Sequence, residues 1–309
     1  MTRDTKIVAI GGGTGLSNLL SGLKHKTKNI TAIVAVTDDG GSSGRIRKDY
    51  KMAPPGDIRN CLLALSNLDD KYKSTLNYRF KSDSNLYDHN MGNLLIAALN
   101  QQENSFSEAI IKAGLLLNVQ GQVIPISDNA EAILKAQTKS KHILHGESEI
   151  GKNIEKITDI WIEPTNITFN PLAKYAIDEC DAVIIGPGSL YTSVITNFLF
   201  KGLAEAVNHT QKPIIFISNI ANDNETYGFT IKEHIEEFKL HTNVDITHVI
   251  CNSTKITNTL ESSELYYEEC EYINSTKVIN ADLLGSHSNN NHDPNKLSDT
   301  IFKVIETLS

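Results

Sequence analysis

The run Lys6-Ile-Val-Ala-Ile-Gly-Gly-Gly-Thr-Gly-Leu16 decides how the rest of the chain is read. An apolar run without polar alternation marks a strand buried on both faces. Four glycines around Thr14 follow as a tight turn, and helical spacing takes over at residues 16–23. Residues 30–36 make a second buried run, closed by Thr37-Asp-Asp-Gly-Gly-Ser-Ser-Gly44. Strand, glycine loop, helix and strand in that order open a sheet whose two faces are covered by helices. The expected fold class is α/β, a doubly wound, mostly parallel Rossmann-like sheet.

Working outward, the chain turns helical. Pro54-Pro55-Gly56-Asp57 ends a loop, and Asp57 reads as the N-cap of a helix reaching residue 66. Further helices are expected at 72–80, 91–100 and 107–117, and Pro125 closes a short strand. Between 132 and 149 the alternation of Ile143, His145 and Glu147 with Leu144 and Gly146 predicts a β-hairpin. Asn170-Pro171 supplies an N-cap with proline in the first helical position. Residues 181–185, 213–218 and 247–251 read as buried strands, with an amphipathic helix at 230–240. A terminal helix starts at Pro294 and places Leu297, Ile301, Val304 and Ile305 on one face. No low-complexity linker divides residues 1–309, so one domain is expected, with a helical insertion at about 57–118.

Composition narrows the function. At 40% hydrophobic and 21% charged residues over 309 positions, the chain can bury a core without a disulfide or metal staple. Its net charge of −8 argues against a nucleic-acid partner, which needs a basic footprint. An anionic ligand must then be met by local donors such as amides at helix starts. Cys61, Cys180, Cys251 and Cys270 lie far apart with no C-x-x-C pair, as in reduced thiols of a cytoplasmic protein. Residues 1–10 lack a signal-peptide core. Residues 182–200 are uncharged, but Gly186-Pro-Gly188 and the polar residues after it read as strand, loop and helix. No membrane partner is expected.

Ligands of an open parallel sheet bind outside the carboxyl ends of its strands. Residues 11–15, 38–44 and 186–189 reach that edge. The dinucleotide fingerprint fails because Leu16 stands where its third glycine belongs, and no Gly-Lys-Ser/Thr completes a phosphate loop. Two glycine loops still favour phosphate over a purely structural turn. Asp38 and Asp39 suit ribose hydroxyls, or alternatively Mg²⁺ with phosphate and water, or a solvated turn. Arg45, Arg47 and Lys48 face either phosphate or solvent. Asp57 and His89 have helix-capping readings beside chemical ones, and the acidic run from Glu261 to Glu271 reads as a solvated face. No catalytic triad or zinc motif is present.

Taken together, Gly11-Gly-Gly-Thr-Gly-Leu16, Val36-Thr-Asp-Asp-Gly-Gly-Ser-Ser-Gly-Arg45, Pro55-Gly-Asp-Ile-Arg-Asn60 and Gly186-Pro-Gly-Ser-Leu-Tyr-Thr-Ser193 closely resemble the YvcK family of bacterial gluconeogenesis factors. That family is related in fold to the 2-phospho-L-lactate transferases. The resemblance implies a cytoplasmic regulator that binds UDP-sugars such as UDP-N-acetylglucosamine and is read by a protein partner. It also implies a role in cell shape and wall synthesis on gluconeogenic carbon sources. No cofactor is required on that reading, and a homo-oligomer is compatible with it. By the resemblance, Gly12, Gly13, Thr14, Gly15, Gly186, Gly188 and Ser189 surround the diphosphate. Asp38 and Asp39 lie nearby, and Tyr191 and Asn219 line the pocket. The chain departs from the family at Asn219-Ile-Ala-Asn-Asp-Asn-Glu-Thr226, one residue shorter than usual. It departs again at Asn291, where many members carry Arg before His-Asp-Pro. The alternative is a Mg²⁺-dependent phosphoryl or nucleotidyl transferase; a hydride-transferring dehydrogenase comes third.

Overall fold

The computed structural model describes residues 4–81, 84–254, 270–285 and 288–308. The acidic run from 261 onward falls outside them up to residue 269. Continuous β-branched runs make the strands at the centre. β1 (Ile7–Gly11) leads through α1 (Gly13–Leu23) to β2 (Ile30–Val34), and the strands pair in parallel with Ile10 opposite Ile33. The crossover to the next strand is entirely helical: α2 (Gly41–Tyr50), α3 (Gly56–Leu65), α4 (Asp70–Leu76), α5 (Met91–Asn100) and α6 (Phe106–Leu116). β3 (Gln122–Pro125) then pairs with β2 at the sheet edge.

A second, antiparallel sheet follows, ordered β5-β4-β6, from β4 (Ile133–Thr138), β5 (Ile143–His145) and β6 (Ile157–Glu163), with α7 (Glu147–Ile150) after β5. The expected hairpin is present, and β6 is a third strand that periodicity misses. Its burial repeats irregularly, and the pairing carries a bulge between Gln137 and Thr138.

The chain returns through α8 (Pro171–Asp178) to β7 (Ala182–Ile185), which flanks β1 on the side away from β2. A π-helical turn, Leu190–Ile195, runs into α9 (Thr196–Phe198) and α10 (Leu203–His209). After it come β8 (Ile214–Ile217), α11 (Ile231–Thr242), β9 (His248–Asn252), β10 (Tyr272–Ile273) and β11 (Thr276–Ala281). β12 (Leu284–Gly285), β13 (Ser288–His292) and α12 (Pro294–Leu308) close the chain. The main sheet has eight strands in the order β10-β11-β9-β8-β7-β1-β2-β3, parallel except for β10. This is the α/β, Rossmann-like architecture expected.

Helix ends follow local chemistry. Asn170 accepts from the Leu172 amide ahead of α8, and Thr230 and Glu233 form a capping box on α11. The apolar stripe of α12 buries Leu297 and Ile301 completely. α4 starts and ends earlier than expected, at 70 and 76 instead of 72 and 80. Arg79 is instead bridged to Asn90, which pulls the chain out of helix. Cys61, Cys180 and Cys251 are buried free thiols, and Cys270 is free and partly exposed. Among the described residues, no helix is long and apolar enough to cross a membrane.

Candidate functional site

The strand order reverses between β1 and β7, so the crevice over their carboxyl ends is where the fold places a ligand. Both glycine loops lie there. Gly13 opens α1 at φ +65°, a backbone that favours glycine, and its amide donates to Asp57 Oδ2 at 2.6 Å. The next two amides of the helix start, on Thr14 and Gly15, have no partner among the described residues. Thr14 is exposed.

The capping role expected of Asp57 is corrected: Pro55 is the N-cap of α3, and Asp57 sits inside its first turn. Its carboxylate is drawn instead to the orphan amide of Gly13. Burial, then the Asp38 charge, raise Asp57 to about 6, against the Gly13 hydrogen bond and Arg59.

The first loop rests directly on the second. A Cβ on Gly15 would stand 2.4 Å from the Pro187 carbonyl oxygen, so no side chain fits there. In the second loop the donors are mostly spent. The Gly188 amide donates to Asn219 Oδ1 at 3.1 Å, and Asn219 Nδ2 donates back to the Gly188 carbonyl at 2.9 Å. Ser189 Oγ donates to Asp223 Oδ2 at 2.8 Å. Glu225 accepts from the amides of Tyr191 (3.0 Å) and Thr192 (3.3 Å) and from Thr192 Oγ1. It therefore occupies the position an anion would take at that helix start. Burial and Asp223 raise Glu225 to about 7, against the hydrogen bonds from Thr192 and Tyr191. Tyr191 itself is wholly buried, its hydroxyl donating to Glu237 Oε2 at 3.2 Å, so its side chain lies in the core and not on the crevice. Lys156 meets the other oxygen of Glu237 at 2.8 Å.

Asp38 Oδ1 accepts from the Gly40 amide at 2.9 Å. Asp39 Oδ1 accepts from the Ser148 amide at 2.9 Å and from Ser148 Oγ at 2.7 Å, at the start of α7. Beside them opens a cleft of about 480 Å³ lined by Asp38, Glu147, Ser189, Thr192, Asp223 and Glu225, with Lys152 at its edge. Glu147 is raised well above the usual carboxylate range by burial and then by Asp57, Asp38, Glu225 and Asp39. Like charges this dense repel phosphate. Asp38 and Asp39 do not converge with a third such ligand: among the described residues no group of three or more His, Cys, Asp or Glu is arranged to hold a metal. Sequence reading missed Asp223, Glu225 and Glu147.

On its other side the first loop borders a cleft of about 360 Å³, lined by Thr14, Ser17, Asn18, Asn60, Lys73 and Asn77, with Asn291 at its edge. Other sequence candidates have structural partners. Arg47 donates to the carbonyls of Ala130 and Ala132, and Arg45 to that of Tyr87. His89 is buried with Nδ1 3.2 Å from Ser42 Oγ.

Residues 7–288, which span both loops and every element between them, match the family model described as 2-phospho-L-lactate transferase CofD. The chain belongs to this family. Within it, the chain is 42% identical to the gluconeogenesis factor of Listeria monocytogenes over 272 residues, 87% of this chain and 83% of that one. It is 40% identical to the gluconeogenesis factor of Bacillus subtilis over 242 residues, 78% of this chain and 76% of the other. A crystal structure of a Bacillus halodurans protein superposes with a TM-score of 0.92 at 34% identity, over 97% of this chain and all of the other. The resemblance to the gluconeogenesis factors is thereby borne out.

Proposed function

We propose that this chain is a gluconeogenesis factor of the cytoplasm, a regulator that binds a nucleotide sugar of the UDP-N-acetylglucosamine kind. On this reading a partner protein reads the occupied state and adjusts cell shape and wall synthesis during growth on gluconeogenic carbon sources. The observation that carries the binding half is the pair of unpartnered amides on Thr14 and Gly15, at the start of an 11-residue helix on the switch-point crevice. The names of the relatives support the physiological half. Phosphate is assigned to the first loop, because the second already holds a carboxylate. Ribose or sugar hydroxyls suit the carboxylate-lined cleft, where acceptors abound.

The family's description as a transferase favours a second reading, phosphoryl transfer with the same crevice holding the nucleotide. Ligand-dependent melting and calorimetry with UDP-N-acetylglucosamine, GDP and NAD, each with and without Mg²⁺, separate the two. The regulator binds the UDP-sugar selectively and leaves it intact overnight. Mg²⁺-dependent consumption of any nucleotide overturns it in favour of the transferase.

A further inference from the structure

On α6, Leu115 is 77% exposed, and Ile111 and Leu116 are exposed by more than half; on α8, Tyr175 is 70% exposed and Leu172 nearly half. Apolar side chains scattered singly over a surface are ordinary, but these adjoin one another. Ile111, Leu115 and Leu172 line one groove of about 400 Å³, together with Gln122, Val123 and Ile124 of the edge strand β3. Among the described residues, no charged side chain lines that groove. Leu172 and Gln122 also line the next cleft, of about 590 Å³, where Tyr175 stands. The two clefts therefore make one continuous face from α6 across the sheet edge to α8.

This face lies at the amino ends of the strands. Ile7, Ile30 and Gln122 border it, and each is the first residue of its strand. The ligand crevice is at the opposite, carboxyl ends. Charges around the face are cancelled in pairs: Lys6 with Glu179 at 3.1 Å, Lys174 with Asp178 at 2.7 Å, and Lys112 with Glu103. Of the charged residues lining either cleft, only Lys28 has no ion-pair partner among the described residues. In a chain of net charge −8, so neutral a face is where a second, equally acidic copy is least repelled.

We propose that this face is a two-fold interface on which a second copy of the chain docks. Such an interface must be complementary to itself, and here a ridge and a groove stand side by side. Leu115 and Leu116 form the ridge at the end of α6, and the groove between α6 and α8 receives the ridge of the other copy. The five exposed side chains present on the order of 500 Å² between them, near the upper end of what a monomer leaves uncovered. With the walls of both clefts, the face approaches the roughly 800 Å² that each partner gives to a stable interface. An apolar centre depleted of charge is also what distinguishes interfaces between identical chains. A strongly charged partner would find no opposite charge here, and an anionic lipid surface no cationic rim. Docking at the amino ends leaves both crevices open, so the inference stands apart from what they bind.

The test is sedimentation velocity on the full chain from about 1 to 100 μM, a range in which a concentration-dependent dimer is visible. Wild type should reach twice the chain mass in the upper part of that range. Leu115→Glu and Tyr175→Glu each place a charge in the contact and should weaken the dimer by about thirty-fold or more. The control is Leu240→Glu, a leucine 70% exposed on α11, which connects β8 to β9 toward the other edge of the sheet; it should change nothing. Each variant is first matched to wild type by circular dichroism, and if Leu115→Glu misfolds, Tyr175→Glu decides. A wild type that stays monomeric to the top of the range overturns the proposal. So does a dimer that neither substitution weakens, or that Leu240→Glu weakens equally.

Discussion

At the first glycine loop one helix-start amide goes to Asp57 and the next two stay free, whereas at the second the amides of Tyr191 and Thr192 both go to Glu225 and Gly188 is tied to Asn219 on both its polar groups. Beyond the first loop the crevice is lined by uncharged residues, polar and apolar, with Lys73 its one lining charge among the described residues; beyond the second it is lined with carboxylates. The contrast separates two roles that glycine at a strand–helix turn can have. It lets a ligand approach only where the fold leaves amides unspent; elsewhere it lets the protein satisfy its own helix start with an internal acid.

The strongest way to break the contrast is to separate the loops. Gly15→Val pushes a side chain into the Pro187 carbonyl, so it should cost about 3 kcal/mol or more in stability and abolish UDP-sugar binding. Urea unfolding and calorimetry measure both, and a variant that keeps wild-type stability and affinity contradicts the contact.

Glu225→Gln probes the filled loop. A carboxyl raised to about 7 contributes stability that is fully present below its unfolded value and is lost as pH rises through 7. Gln keeps an acceptor for the two amides without the charge. The variant should therefore exceed wild type by about 2 kcal/mol at pH 8 and match it at pH 4. Melting that shows no pH-dependent difference between the two proteins contradicts this assignment.

Asp57→Asn probes the open loop. Because Asp57 titrates near 6, it is charged at pH 8 and neutral at pH 4, and wild-type affinity for UDP should fall as pH rises through 6. Removing the charge should tighten UDP binding at pH 8 by about ten-fold and leave it unchanged at pH 4. Weaker binding at pH 8 would assign Asp57 to the ligand and not against it. The smallest effect is expected from Asn291→Arg in the cleft beside the first loop: about three-fold tighter pyrophosphate binding in low salt, fading at 0.5 M salt. Indifference to salt would place residue 291 away from the phosphate.

Much of this was legible in the sequence, and the limits have physical causes. Unbroken apolar runs disclosed the parallel strands, because burial on both faces leaves no alternation to confuse. Asn170-Pro171 announced α8, since capping is local. Asp57 was misread for the same reason: its position fits a cap, but its partner is an amide 44 residues earlier. Glu225, Glu147 and Asp223 gave no local signal at all, because they acquire meaning only when β7, β8 and the small sheet bring them over one crevice. Arg59 was visible as part of Pro55-Gly-Asp-Ile-Arg-Asn60, but its lack of an acid partner is a property of packing.

The Gly15 contact has a mechanical consequence. With no side chain between them, the turn after β1 and the turn after β7 stand backbone against backbone. From there Glu225 grips the π-helical turn, Tyr191 grips Glu237 on α11, and Glu237 grips Lys156 on the approach to β6. These contacts make an unbroken chain of bonds from the crevice to Lys156, whose side chain is 58% exposed to solvent.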